Sequence, residues 1–482
     1  MTWKWKPREQ ARALLAQEQG AIVKDWGGRL PLVLAYPNRY SVGMGNLGLH
    51  LLYRLLNDQP QVVCERAFAS LASAIPSRGD DLWVGQDQRL RNVGPILSLE
   101  TQRPLSEFPV VAFSVPYELD YPHLVAMLRA SGIPLLAEER QDGDPLVLAG
   151  GMALTANPEP MAAFLDAMVI GEAEPVLPGL LDALREALGG PRADLLQRLA
   201  EVPGVYVPGH YQAAYGPQGQ LSSLSHRGQV WRPPSPLPGA VTRQVQHNLD
   251  QEPAHTAVFS RRAEFGDLFL LEVSRGCGRG CAFCLTGHNT RPVRYRSLET
   301  LLATARQGLA ARESIGLLGA AVSDHPQIDE LVEQLRRMGA RLSVSSWRAD
   351  ALSEPLLRGL QESGAQSITL APEAGSQRLR RRIAKPITDE QLIHAAQMAS
   401  KLGLRQIKLY FMVGLPGETE EDVEAIADLA GRLASHSNAK VVAGISPFVP
   451  KAQTAFQRQP MLEAAALKRR LHALEQALAR QA

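Results

Sequence analysis

A chain of 482 residues is long enough for roughly three domains and a large core, so it needs no disulfide or structural metal for stability alone. Its 51 basic and 49 acidic residues nearly cancel, which excludes a global electrostatic drive toward nucleic acid or an anionic membrane. The start MTWKWKPREQARALL lacks the apolar core of a signal peptide, no uncharged apolar run reaches transmembrane length, and there are only four cysteines; this pattern predicts a cytoplasmic protein without a disulfide framework.

From about 28 to 190 short apolar strands alternate with helical stretches. LPLVLAYP (30–37) reads as a buried strand, followed by the glycines of SVGMGNLG (41–48) and the helical LHLLYRLLN (49–57). VVAFSVPY (110–117), PLVLAGG (145–151) and DAMVIG (166–171) are further strands, and LDYPHLVAMLRASG (119–132) a further helix. Such alternation predicts a doubly wound parallel sheet, whose ligands bind beyond the C-terminal strand ends. Between 196 and 262 the pattern breaks into Pro-, Gly- and Ser-rich segments, including RPPSPLPGAV, which fits a β-rich connector.

From 266 the alternation resumes. Strands are expected at 268–276, 314–321, 341–347, 367–373, 405–414 and 440–448. Helices are expected between them at 297–312, 328–339, 353–364, 388–403 and 419–434, with a closing helix at 461–480. Six βα repeats predict a partial (β/α)6 TIM-type barrel with its chemistry at the C-terminal strand ends. The divisions expected are 1–195, 196–262 and 263–482.

Three of the four cysteines, Cys277, Cys281 and Cys284, fall within RGCGRGCAFC (275–284), at the end of the first barrel strand. Cys-x3-Cys-x2-Cys lets one loop wrap a metal centre from three sides. Zinc would take a fourth ligand, for which His288 is at hand. A four-iron cluster held by three thiolates leaves one iron open. Gly276, Gly278 and Gly280 suit a loop folded tightly around such a centre.

The run CGRGCAFC after the first strand of a βα barrel resembles the signature of the radical S-adenosylmethionine (radical SAM) superfamily, in which an aromatic residue, here Phe283, precedes the third cysteine. The resemblance implies a [4Fe–4S] cluster whose open iron binds SAM, reductive cleavage to a 5′-deoxyadenosyl radical, and a reductant such as flavodoxin or ferredoxin. It also implies SAM contacts at the ends of the following strands. GAAVSDHP (319–326) supplies Ser323 and Asp324, although it departs from the Gly-Gly-Glu form. SVSSWRAD supplies Ser345 and Arg348, LAPEAG supplies Glu373, and YFMVGLPGE supplies Gly414 and Gly417. For each, a polar strand end, a surface arginine or a plain β-to-α turn is the alternative. The basic run RLRRRIAK (378–385) beside that mouth could receive a phosphate-bearing substrate, RNA included; the competing reading is a solvated face.

AYPNRYSVGMGNLGLHLLYRLLN, CERAF, LETQRPLSEF, SVPYELDYPHLVAML and DAMVIGEAE resemble the front half of a subfamily that fuses a Rossmann-like, cobalamin-binding-type domain to the radical SAM barrel. RPVRYRS and FVPKAQTAFQ match its barrel. Larger members of that subfamily carry a further C-terminal domain that the resemblance does not find here. If cobalamin is bound, the implied cradle is Gly43, Gly45, Gly48, Ser114, Gly150, Gly151, Gly171 and Glu172, and the implied reaction is methyl transfer. An empty domain is the alternative, since the Asp-x-His-x-x-Gly segment of a histidine lower ligand is absent. Cys64, in QVVCERAF, is either a small buried hydrophobe or a residue facing the barrel mouth. A lone cysteine there cannot build the second cluster of a methylthiotransferase. The expectation is therefore a cytoplasmic radical SAM enzyme, with an iron–sulfur or RNA-associated binding protein lacking SAM turnover as the alternative. No substrate and no catalytic side chain can be read from the residues.

Overall fold

The computed structural model describes residues 6–69, 95–219, 221–226, 229–231, 240–344 and 347–481. The expected SAM contact Ser345, and residues 232–239 of the Pro-rich run, lie outside them. The chain forms two compact units, Met1–His247 with Thr256–Gly266, and Asn248–His255 with Asp267–Ala482.

The first unit begins with helix α1 (Lys6–Leu15) and is built on strands β1 (Leu30–Tyr36), β2 (Val62–Phe68), β3 (Val110–Ser114), β4 (Leu146–Gly150), β5 (Ala167–Val169) and β6 (Val205–Tyr206), in the order β2-β1-β3-β4-β5-β6. The first five run parallel. The helices are α2 (Tyr40–Gly43), α3 (Leu47–Asp58), α4 (Tyr121–Ala130), α5 (Met152–Ala156), α6 (Leu177–Ala187) and α7 (Arg192–Ala200). Because strand side chains alternate, β1 feeds two cores. Leu32, Leu34 and Tyr36 join residues of α3, α6 and α7, whereas Val33 and Ala35 join those of α4 and α5. Helices thus cover both faces of the sheet, as the sequence alternation predicts. The sixth strand is a departure: it pairs antiparallel with β5. Two helices, not one, lie between β5 and β6, and the second reverses the chain again. A small antiparallel meander follows, β7 (Tyr211–Tyr215), β8 (Leu221–His226) and β9 (Gln229–Trp231).

QVVCERAF becomes β2, buried at every position. Cys64 is wholly buried beside Leu32 and Leu34, so the thiol is a core group and burial pushes it well above its ordinary range. Beside it Arg66 donates to both Glu100 (2.8 Å) and Glu18 (2.6 Å), with all three side chains at most 1% exposed. The Arg66 guanidinium also stacks on the Tyr53 ring, 4.6 Å from its centroid. This network ties the segment after α1, strand β2 and the loop before β3 into one body.

The second unit contains β10 (Leu268–Glu272), β11 (Ser274–Arg275), β12 (Arg294–Tyr295), β13 (Ser314–Leu318), β14 (Arg341–Val344), β15 (Ser367–Glu373), β16 (Gln406–Val413) and β17 (Lys440–Pro447). Apart from the β11–β12 pair, they form two parallel triplets, β10-β13-β14 and β15-β16-β17. Buried Trp347 joins the triplets, its backbone N–H donating to Thr369 (3.1 Å). Six strands in chain order make the partial (β/α)6 barrel. The helices are α8 (Leu285–Asn289), α9 (Leu298–Leu309), α10 (Ile328–Arg337), α11 (Glu354–Glu362), α12 (Gln377–Arg382), α13 (Asp389–Lys401), α14 (Glu420–Ser435) and α15 (Ala464–Gln481). Their sequences explain them: α10 buries Ile328, Leu331, Val332 and Leu335 on one stripe, and Ser297, Ser353, Ser376 and Thr388 cap four helix N-termini.

Candidate iron–sulfur and cofactor sites

The three clustered cysteines lie on the loop between β11 and α8, at the C-terminal end of the first barrel strand. Cys281 is buried, whereas Cys277 and Cys284 are partly exposed. Gly276 (φ +89°) is required here, because a Cβ would collide with the carbonyls of Thr290 and Pro292. Gly278 and Gly280 are not: a side chain at either would meet only ordinary contacts at 3.5 Å or beyond. Gly276→Ala is therefore expected to lower the iron taken up per chain by several-fold, measured after anaerobic reconstitution, while Gly280→Ala leaves it unchanged.

The loop is braced from several sides. Cys284 N–H donates to the Cys281 carbonyl (3.0 Å), and Ala282 N–H to that of Ile383 (2.9 Å). Phe283 packs against Ala374, Leu379, Ile383, Leu415 and Phe448, so the aromatic residue before the third cysteine plugs the loop into an apolar cluster. His288, the fourth ligand that zinc would need, donates through Nε2 to the Cys281 carbonyl (3.1 Å) and braces the loop as well. Among the described residues no three His, Cys, Asp or Glu side chains form a site for a single metal ion. A four-iron cluster asks something different, since each thiolate binds its own iron. Burial pushes the Cys281 thiol up, opposed by the charges of Lys385 and Arg348.

The expected SAM residues prove to be linked to one another and to this loop. Arg279, inside the cysteine motif, grips Asp324 with two bonds of 3.0 Å and lies 3.6 Å from Asp350. Arg348 in turn donates twice to Asp350 (2.9 and 2.8 Å). The result is a charge chain Asp324–Arg279–Asp350–Arg348 across the ends of three strands. Burial raises the Asp350 carboxyl, but the bonds from Arg348 and the charge of Arg279 outweigh it and leave the group below its ordinary range. The chain corrects the picture of Arg348 as a free clamp, since both bonds of its fork go to Asp350. Ser323 sits in the single 3-10 turn after β13. Glu373 ends β15 at φ +70°, a left-handed conformation rare outside glycine, and accepts from Lys385 (2.8 Å). Gly414 (φ +87°) donates its N–H to Glu418 (2.7 Å), which Arg470 of α15 holds (2.8 Å). At Gly417 (φ +80°) the Arg382 guanidinium fills the space of the missing side chain.

The basic run 378–385 is partly drawn into the fold. Arg380, fully buried, donates to the carbonyls of Ala374 (3.1 Å), Gly375 (2.7 Å) and Ile387 (2.7 Å) and pairs with Asp389. Arg378 pairs with Asp422, Arg382 donates to Pro416 (2.8 Å), and Lys385 is committed to Glu373. Arg380 and Lys385 are thus committed inside the fold, whereas Arg381 and Arg382 face solvent and the Arg378 side chain stays 54% exposed.

In the first unit the expected cobalamin cradle divides. Ser114 and Gly150 are neighbours in register at the ends of β3 and β4, and Gly151 follows at φ +119°, pressed against the Val115 carbonyl. Ser114, at the end of β3, borders the flavodoxin-like switch point, where the order turns from β1 to β3, and Gly150 and Gly151 lie one strand further along. Gly43 makes room for the Phe68 and Tyr36 rings, Gly45 lies against Phe265, and Gly48 packs beside the Asn46 cap. At Gly171 (φ +110°) the backbone of Gln244 occupies the space, and Glu172 accepts from Gln246 N–H (2.9 Å). These five positions serve the unit's own packing. From sequence, a glycine that admits a ligand looks the same as one that admits the chain itself.

Residues 271–430 match the family described as Radical SAM superfamily, and residues 48–208 match that described as Radical SAM proteins, N-terminal. The chain belongs to the radical SAM superfamily. As a radical SAM protein it is an enzyme, and its cluster and SAM cofactors are those the cysteine loop predicts. The uncharacterized protein MJ0966 of Methanocaldococcus jannaschii is 28% identical over 428 residues, 88% of this chain and 79% of that one. Cytidylyl-2-hydroxyethylphosphonate methyltransferase of Streptomyces wedmorensis is 29% identical over 37% of this chain and 35% of its own. Among solved structures, the radical SAM methyltransferase TsrM of Kitasatospora setae, with cobalamin and a [4Fe–4S] cluster bound, superposes with a TM-score of 0.56 at 15% identity, over 89% of this chain and 77% of its own. That likeness shows the shared radical SAM fold. No helix among the described residues is long and apolar enough to cross a membrane.

Residues missed in the sequence are Arg279, Asp350, Lys385 and Ser274. Arg279 occupies a variable slot of the motif, and Lys385 was hidden in a basic run. Ser274, 3% exposed, has a hydroxyl with no partner among the described residues and points at the vacant side of Gly319. An orphaned buried hydroxyl beside the cysteine loop fits a polar ligand.

Proposed function

We propose that this chain is a radical SAM enzyme that reductively cleaves SAM at a [4Fe–4S] cluster held by Cys277, Cys281 and Cys284, and that it uses cobalamin to transfer a methyl group. The observation that carries the reading is the three-cysteine loop at the C-terminal end of β10, braced by Phe283 and locked to the next two strand ends through Arg279. When bound, the cluster supplies the electron that breaks SAM into methionine and a 5′-deoxyadenosyl radical. The protein's own part is to hold three thiolates, exclude a fourth protein ligand and orient the sulfonium. Asp324 and Ser323 would meet the SAM amino group, with Ser274 adding its unpartnered hydroxyl. Arg348 keeps its remaining nitrogen for the carboxylate, Glu373 would accept from the ribose hydroxyls, and the backbone at Gly414 and Gly417 would border the adenine.

Cobalamin, when bound, supplies the methyl group. Its proposed seat is beyond the C-terminal ends of β3 and β4, beside the switch point, at Ser114, Gly150 and Gly151. Two features there fit a large amphipathic ring: the loop after β3 exposes Tyr117 (52%) and Leu119 (68%), and the Tyr121 hydroxyl is buried without a partner among the described residues. The likeness to TsrM and the short match to a methyltransferase support the same reaction class. A one-electron donor of the flavodoxin or ferredoxin class is the implied partner.

The test is anaerobic reconstitution followed by dithionite and SAM. Production of 5′-deoxyadenosine is expected. A full cluster that never yields it would assign the chain to the binding-protein alternative. For the methyl-transfer half, corrinoid absorption should survive desalting; its loss would remove cobalamin from the proposal.

A further inference from the structure

We propose that Lys385 is a positioning residue that raises the reduction potential of the cluster held by the cysteine loop, with Glu373 as its opposing charge. The inference rests on the cluster reading above and adds to it a use for the basic run. Four observations converge. Ile383, two residues before Lys385, accepts from Ala282 N–H (2.9 Å), so the lysine is delivered to the loop through a direct backbone bond. Ala384 between them takes φ +55°, a turn that a non-glycine residue holds only when its surroundings enforce it. Arg380 enforces it, gathering the carbonyls of Ala374, Gly375 and Ile387 from inside the same turn. Finally, Lys385 is 8% exposed and its ammonium meets Glu373 at 2.8 Å, on a residue that is itself in the left-handed region.

The chemistry follows from charge. Three thiolates on a four-iron cluster give an anion of about −1, and one-electron reduction by the external donor takes it to about −2 with no proton required. A buried ammonium beside that loop favours the more negative state, and the low local dielectric enlarges the effect. Glu373 acts in the opposite sense, so the pair sets the potential through the balance of its members.

An EPR-monitored redox titration of the reconstituted full chain tests this. Lys385→Met is expected to lower the ratio of reduced to oxidised cluster about tenfold at a fixed potential, equivalent to ~59 mV for one electron. Lys385→Arg should restore most of it, and Glu373→Gln should shift the midpoint the other way. A purely structural role would move iron content but not produce shifts of opposite sign. If Lys385→Met fails to hold iron, Glu373→Gln still decides the matter, because an unchanged or lowered midpoint there overturns the proposal. Wild-type protein that takes up no iron defeats the cluster reading and this inference with it. A fully loaded wild type and Lys385→Met with equal midpoints defeat the inference alone.

Discussion

Cys281→Ala is expected to abolish SAM cleavage while the fold survives. Cys281 is the buried member of the three, and losing its thiolate leaves two ligands for a cluster that needs three. Formation of 5′-deoxyadenosine should fall toward the uncatalysed background, a loss on the order of 10⁶-fold or more. The iron content of reconstituted protein should fall with it. Small-for-small replacement in the loop removes little packing, so the thermal midpoint of the metal-free protein should stay within about 4 °C of wild type. Cys64→Ala is the control: the site is a core position of the first unit, and both iron content and cleavage should be retained. Loss of cluster from Cys64→Ala, or its retention in Cys281→Ala, would overturn the ligand assignment.

The second large effect is on stability. Arg66→Met leaves Glu100 and Glu18 buried without their cation, and breaking such a pair by removing one partner costs about 3–5 kcal/mol. The pH dependence has a defined sign. Burial lifts the Glu100 carboxyl above its ordinary range, and the attraction of Arg66 offsets only part of that. A carboxyl raised in the folded state contributes stability below its unfolded pKa near 4.5, and the contribution is lost as pH rises through the folded value. Without Arg66 the folded value climbs further. The variant should therefore be penalised more at pH 8 than at pH 5, which urea unfolding at the two pH values would reveal. An equal penalty at both would mean that the network is held by geometry and not by charge.

Much of the architecture was legible because it rests on local patterns. Short apolar runs became β1, β3, β4 and β5, the last two ending in glycine, and the i, i+3, i+4, i+7 stripe of 328–335 became α10. The cysteine loop was legible for a related reason: ligands that chelate one centre from a single loop must be close in sequence. The strand order was not legible. Nothing in LPLVLAYP or VVCERAF tells that β1 pairs with both β2 and β3, because pairing depends on how the crossover helices pack. Nor could the antiparallel β6 be read from two residues, Val205 and Tyr206.

The same division separates the residues of the site. Sequence by itself determined the metal-binding chemistry, the barrel that presents it and the superfamily, since each is encoded in contiguous residues and their spacing. Tertiary structure decided what the scattered polar residues do. Arg348 was a candidate two-bond clamp for the SAM carboxylate until Asp350 took both bonds of its fork and left one nitrogen for it, and Gly171 a candidate cradle until Gln244 filled the space. Lys385 was one cation among several until Glu373 took its ammonium and Ile383, two residues before it, met the backbone of the cysteine loop. The physical reason is that charges and glycines act through whichever group folding brings within a few ångströms, and that neighbour is usually far away along the chain.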